Sequence, residues 1–467
     1  MKRKVLFFVM AFAVLTLLVP NVKAAPATVA KIGDDEYSTL QSAIDAANVG
    51  DVVELVADTA EDITVASSKD ITLDLGTYTL KNVSNHTIVN EGKLTITGSG
   101  TVDNLTHGKG ALVNKGTAVV LDGTFTRSNE AGTREGNGGN SWYVIDNNGT
   151  SASLTFKGGK VVNTSGFSSL IRNLGATLVI EDGTFENNFI VVKNDDDGVL
   201  KVSGGTISTK AEKGSAVQNW GTFELTGGVL NAVEGANAIS TYTWSDSYTA
   251  PTTEITGGTI NGNIYASKDT DYTVNTAPEV AINGGKITGD VVAEHEGVVK
   301  ITKGVIDGEI KSDDTADVLA AGGTYTTAPS EGNVPDGYKV FENEDGTFVV
   351  AEPVILTFIA DDYKETVEVP KGAALTDEEV EYLKEMLEAE LENSDVTFDG
   401  FYADEDLKAE FDFTKAFDQD ATVYLKLSKV QQKVNPGTSD INLIFILGTL
   451  LIGGAGLGFT LKNRKFN

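Results

Sequence analysis

The sequence contains no cysteine, so it can build neither a disulfide nor a thiolate metal centre. Histidine is nearly absent: His86, His107 and His295 are the only three, which argues against a histidine-rich zinc site. Arginine is as scarce, and outside the two ends it occurs only at Arg127, Arg134 and Arg172. Nine prolines leave few fixed turns, and the 50 glycines follow no collagen period, so glycine must supply many tight turns. Positive charge is in deficit: 36 Lys and Arg face 67 Asp and Glu, a formal net charge of −31 in 467 residues. Such a chain is repelled by nucleic-acid backbones and by anionic lipid surfaces, so no nucleic-acid partner is expected, and no cofactor is implied.

Long apolar runs occur only near the ends. Lys2, Arg3 and Lys4 precede the run Val5–Val19, and Val22-Lys23-Ala24 offers small residues for a cut between Ala24 and Ala25. Residues 1–24 therefore read as a signal peptide, because the run is shorter than the roughly 20 residues of a span. Ile441–Leu461 carries no charge and is followed by Lys462, Arg464 and Lys465. That pattern predicts a C-terminal transmembrane helix over 441–461, with the basic tail 462–467 cytoplasmic and the acidic body outside.

What fills the middle is a repeat. LTITGSGTV (from Leu94), VVLDGTF (Val119), LTFKGGKV (Leu154), LVIEDGTF (Leu178), LKVSGGTI (Leu200), FELTGGVL (Phe223), TEITGGTI (Thr253), VAINGGKI (Val280), VKITKGVI (Val299) and VLAAGGTY (Val318) start 19 to 35 residues apart. Each alternates apolar residues, turns at a glycine corner and begins another short strand. A second marker precedes many of them: VNEG at Asn90, VNKG at Asn114, DNNG at Asn148, RNLG at Asn173 and QNWG at Asn219. A period near two dozen residues with β-branched alternation predicts an all-β stacked solenoid, each coil burying its apolar side chains against its neighbours. Asparagines at equivalent corners are placed to stack their amides from coil to coil. About a dozen coils at roughly 4.8 Å each predict a rod on the order of 55–60 Å.

Both ends of the stack look closed. YSTLQSAIDAANVGD reads as a capping helix, with Ser38 as N-cap, Gln41 completing a capping box, Leu40, Ala43, Ile44 and Ala47 on one face, and Gly50 as the stop. YKVFENEDGTFVVAE reads as a hairpin turning near Asp345-Gly346. With the EYSTLQSAIDAANVGDVVEL cap, the ITLDLGTYTL coil and the GGT corners, residues 32–352 resemble the pectin-lyase-like right-handed parallel β-helix of bacterial surface proteins. That fold hosts both enzymes and adhesins.

After Glu352 the glycine repeat stops. PVILTFIADDYKETVEVPKGAAL gives two strands, and TDEEVEYLKEMLEAELEN gives a helix with a Thr376/Glu379 capping box and an apolar face of Val380, Leu383, Leu387 and Leu391. The run GFYADEDLKAEFDFTKAFDQDATVYLKL resembles the internalin-type B repeat, or Listeria–Bacteroides repeat, though Phe401 stands where that family commonly has Trp. The resemblance implies a small α+β, β-grasp-like module over 353–428, used as a spacer or binding unit on Gram-positive surfaces.

Chemistry is sparse along this chain. The hydrolase GHG motif is absent, THGKG at Thr106–Gly110 being the nearest approach, and no cluster of Asp, His and Arg recurs at matching coil positions. Asn194–Gly198, NDDDG, offers oxygen ligands for calcium but lacks the spacing of a known loop, so a solvated turn is expected and no metal is assigned. Insertions on a rigid scaffold are better sites for recognition. One spans Thr126–Tyr143; another, STYTWSDSYTAP, carries Tyr242, Trp244 and Tyr248 as candidate ligand contacts. For Trp244, ligand stacking and packing on the coil below are both open; Trp142 and Trp220 are expected to pack.

Residues 429–440 form a linker with a motif inside it. Asn435-Pro436-Gly437-Thr438-Ser439, then an apolar span, then a basic tail, resembles an LPxTG-like sortase sorting signal of NPxTS type. The resemblance implies cutting of the Thr438–Ser439 bond, with Thr438 transferred to a sortase cysteine and then to peptidoglycan. The expectation is a non-enzymatic adhesin or stalk at the cell wall, with an unidentified host glycan or protein as ligand; the alternative is a wall-attached polysaccharide lyase or glycoside hydrolase.

Overall fold

A computed structural model of the protein describes residues 27–130, 142–163, 168–270, 276–343, 345–361, 363–391, 396–429 and 450–451. The signal-peptide cut at Ala24 and Ala25, the sorting motif Asn435–Ser439 and the basic tail lie outside the described residues.

Two long sheets run the length of the repeat region. The narrower has eleven strands, from Ile63–Val65 to Ile310–Ser312, every neighbouring pair parallel. The broader has 24 strands and takes the two segments on either side of each glycine corner. In chain order, a coil contributes one strand to the narrow sheet and two to the broad one, as in Val192–Asp195, Val199–Val202 and Thr206–Thr209. In four coils the latter two merge into one long strand, for example Thr177–Asn187. The result is a parallel-strand solenoid whose ten steps of roughly 4.8 Å make the narrow sheet about 48 Å long.

The interior is built of columns. Leu94, Ala118, Leu154, Leu178, Leu200 and Phe223 lie in register on successive coils and are essentially inaccessible, as are Ile96, Val120, Phe156, Ile180, Val202 and Leu225 two residues on. Phe156 and Phe185 meet edge to face at 5.0 Å between centroids.

The paired glycines have two separate causes. A Cβ on Gly227 would lie 2.4 Å from the carbonyl oxygen of Ser203 in the coil below, so the first glycine is fixed by close coil-to-coil approach. Gly228 has φ of +85°, which a side chain would strain, so the second is fixed by the turn.

The first end is closed by α1 (Leu40–Ala46), with Leu40, Ala43, Ile44 and Ala47 all buried as expected. Its capping differs from the expectation. Thr39, not Ser38, is the N-cap and accepts from Ser42 N. Glu61 of the next segment accepts from Leu40 N (2.7 Å) and Gln41 N (3.0 Å), placing a carboxylate on the helix N-terminus. Gln41 is thereby free to bond across to Thr64, accepting from its N at 2.7 Å and donating to its O at 3.1 Å. The helix ends at Ala46 with Ala47 as C-cap, so Gly50, at φ +88°, serves the following turn. At the far end Lys339–Glu342 and Phe348–Ala351 form the expected hairpin, and its second strand pairs antiparallel with Thr324–Tyr325, ending the parallel stack.

The second unit is a mixed sheet. Pro353–Ala360 and Ala421–Lys429 lie parallel at its centre, flanked antiparallel by Tyr363–Pro370 and Val396–Tyr402. The helix α2 (Asp377–Leu391) carries the expected capping box: Thr376 N donates to Glu379 at 2.6 Å and Glu379 N to Thr376 Oγ1 at 3.2 Å. Its Leu383 and Leu387 pack into a core with Leu356, Phe358, Phe413 and Val423.

The C-terminal transmembrane helix expected over Ile441–Leu461 is not supported. No helix among the described residues is long and apolar enough to cross a membrane. The one described part of that run, Leu450–Leu451, is a short strand parallel to Val367–Glu368.

Candidate functional site

The narrow sheet has a polar spine. Asn90, Asn114, Asn147, Asn173, Asn194 and Asn219 occupy one register position on six successive coils, and none is accessible to solvent. Each Nδ2 donates to the Oδ1 of the next at 2.7–2.8 Å. At DNNG the spine residue is Asn147, not Asn148, and Asn194, which opens NDDDG, is a further member that its sequence context concealed. The spine ends where Asn219 donates to Thr253 Oγ1, because Thr241 takes the next position.

That inward spine fixes what faces out. Residues immediately before and after each asparagine lie on the outer face, since side chains alternate along a strand. On one side this row runs Asp146, Arg172, Lys193 and Gln218; on the other, Asp195 leads to Trp220 and Tyr242 on the next two coils. All three tryptophans of the chain lie along this face, in two groups. Trp142 and Tyr143 precede the strand Ile145–Asn148 and pack against Arg172, whose guanidinium carbon is 5.5 Å and 4.7 Å from their ring centroids. Lys193 Nζ is 4.2 Å from the Trp220 ring. Trp220 is 6.5 Å from Tyr242 and 5.5 Å from Trp244, which is 5.6 Å from Tyr248.

Both cations are already paired. Arg172 grips buried Asp146 with two bonds, Nε to Oδ1 at 2.7 Å and Nη2 to Oδ2 at 2.9 Å, and Lys193 lies 3.0 Å from Asp195. Burial works against the Arg172 charge, but Asp146 outweighs it and holds the guanidinium pKa up. Burial pushes the Tyr143 phenol up, with Arg172 opposing. Beside them the His86 ring lies tilted at 5.7 Å from Trp142, and its Nδ1 accepts from Gly110 N at 2.9 Å. Burial, with Lys109 adding to it, holds the His86 pKa below its usual 6.5.

NDDDG acquires a different role from ion binding. Asp196 and Asp197 take left-handed φ values of +46° and +59°, turning the chain at the corner. Asp197 Oδ1 accepts from Thr249 N at 2.8 Å, although the two residues belong to coils two steps apart. Residues 244–251 therefore form a strap that runs back over Trp220. Burial, then Asp195, raises the Asp196 carboxyl from its ordinary value, while the nearby Tyr248 opposes the rise. Asp246 holds the strap from the other side, accepting from Thr276 N and Oγ1. Among the described residues, no group of three His, Asp or Glu is arranged to hold a metal ion.

The candidates Tyr242, Trp244 and Tyr248 are thus brought together, Tyr242 donating its hydroxyl to Asp269. Sequence reasoning missed Trp220 as their neighbour, and Lys193, Arg172 and Trp142 further along the same face. The signal was present: a residue flanking a spine asparagine must face outward, as in QNWG and RNLG. All three indole Nε1 atoms, of Trp142, Trp220 and Trp244, are buried and lack a hydrogen-bond partner. Comparison with protein-family models, with curated proteins and with solved structures found no match to this chain.

Proposed function

We propose that this chain is an exported, wall-anchored and non-enzymatic surface protein, a right-handed β-helix of pectin-lyase-like kind that presents a binding strip on its narrow sheet. The observation that carries the reading is the placement of Trp142, Trp220 and Trp244, with Tyr143, Tyr242 and Tyr248, on one outer face. Scattered surface aromatics are ordinary, but two ring groups along one face, bridged by Arg172 and Lys193 on a rigid scaffold, favour recognition. The small α+β unit fits the role of a B-repeat-like spacer. Attachment rests on sequence: Asn435-Pro436-Gly437-Thr438-Ser439, an uncharged run long enough to span a bilayer, and Lys462, Arg464 and Lys465.

Three measurements test it. Thr438→Ala should remove the protein from the peptidoglycan-linked wall fraction; unchanged covalent attachment would end the sorting part. The mature chain should bind on an array of glycans and extracellular-matrix proteins, and Trp244→Ala should weaken that binding about tenfold. Release of reducing or unsaturated ends from pectin or other polysaccharides would replace the binding reading with a lyase or hydrolase.

A further inference from the structure

We infer that the strip takes a neutral glycan, clamped between the strap 244–251 and Trp220, and this inference rests on the binding reading above. Three observations lead there. The rings are aromatic rather than aliphatic, and flat faces suit the C–H surfaces of sugar rings better than they suit apolar side chains. Trp220 and Trp244 sit 5.5 Å apart with planes inclined at 43°, a tilted pair rather than a closed stack. Their indole N–H groups are buried without acceptors, an uncommon condition whose remedy is a ligand rich in hydroxyl and ether oxygens.

Charge settles the class of glycan. Arg172 and Lys193, the cations of the strip, are occupied by Asp146 and Asp195, and Asp196 and Asp197 add negative charge at the corner. Among the described residues beside the clamp, a uronate or sulfated chain would meet the cations Arg172 and Lys193 already paired with carboxylates, and it would approach a molecule of net charge −31. A neutral chain carries neither penalty.

The strap supplies the entry route. Trp220 lies beneath it, and the strap is held down by Thr249 N on Asp197 at one side and by Thr276 N and Oγ1 on Asp246 at the other. Lifting the strap separates Trp244 from Trp220 and frees both indole donors. Closing it over a sugar ring restores two aromatic faces with the ligand between them. Aspartate at 197 is thus a positioning residue, setting how readily the strap opens, while the two rings make the contact.

With three tryptophans in the whole chain, intrinsic fluorescence reports on the site directly. The mature full chain is titrated with xylohexaose, cellohexaose and chitohexaose as neutral probes and with polygalacturonate as the anionic one. At least one neutral hexaose should shift the emission saturably. Trp220→Ala and Trp244→Ala should each weaken it about tenfold or more while circular dichroism stays that of the parent. Asp197→Ala, which keeps both rings, should change the association rate more than these do, and Asp197→Asn should restore most of it. Saturable binding of polygalacturonate alone, or of an array protein that competes at Trp244, would overturn the neutral-glycan inference and leave the binding reading standing. Neutral-glycan binding that survives Trp220→Ala would overturn the clamp. No ligand of any class sensitive to Trp220 or Trp244 would overturn both.

Discussion

Asn173 has an amide above it and an amide below it. Its Nδ2 donates to Asn194 Oδ1, to Ala176 O and to Val199 O, while its Oδ1 accepts from Asn147. Removing it strands several buried groups and opens a cavity, each a cost of roughly 1–3 kcal/mol. Asn173→Ala should therefore lower stability by about 3 kcal/mol or more in urea denaturation. Asn148→Ala, on the outer face with only a 3.3 Å contact to Asp146, should stay within about 0.5 kcal/mol. Equal effects would remove the spine's structural role. His86 gives a pH prediction with a definite sign. Its folded pKa is lowered, so between that value and the unfolded 6.5 the unfolded chain binds more protons. Its contribution to stability therefore falls as pH drops below about 6.5. NMR should find the His86 midpoint below 6.5, and His86→Gln, which keeps an acceptor for Gly110, should flatten this acid-side loss relative to the parent.

Elements here are completed by residues from other coils. Helix α1 takes its N-terminal carboxylate from Glu61, 21 residues past Leu40. Glu61→Ala should loosen the end plug and cost roughly 1–2 kcal/mol in the first unfolding transition, with hydrogen exchange at Leu40 and Gln41 rising first. This also explains what was legible at this scale. The Thr376/Glu379 box of α2 is wholly local, so the sequence displayed it. For α1 the local signals pointed to Ser38 and Gly50, whereas the caps are Thr39 and Ala47 and the carboxylate on the first turn is Glu61 of the next segment. The strap is the same case: Thr249 bonds to a residue 52 positions earlier, and no local pattern announces that.

For the whole molecule, the repeat was legible because each coil must bury its own alternating residues, and ten glycine corners recorded that need. The strip was not, because insertions between coils hide which residues become neighbours. Trp142, Trp220 and Trp244 are separated by 78 and 24 residues in sequence, yet the register of the asparagines draws their coils onto one face. NDDDG was legible as a turn but not as part of the spine, since three aspartates drew attention away from Asn194.

The asparagine spine stops at Asn219, and the four later coils hold Thr241, Ala266, Ala293 and Ser312 in its place. Under the proposed C-terminal attachment, tension reaches those four coils first. They lack the buried amide ladder and are joined, besides backbone pairing and apolar columns, by more exposed links such as Tyr265–Glu294 and Lys311–Asp290, so they peel before the amide-laced coils beneath them. The spine then works as a brake on mechanical unwinding, and the strap, which ties the eighth coil back to the sixth, lies across the boundary where that brake takes hold.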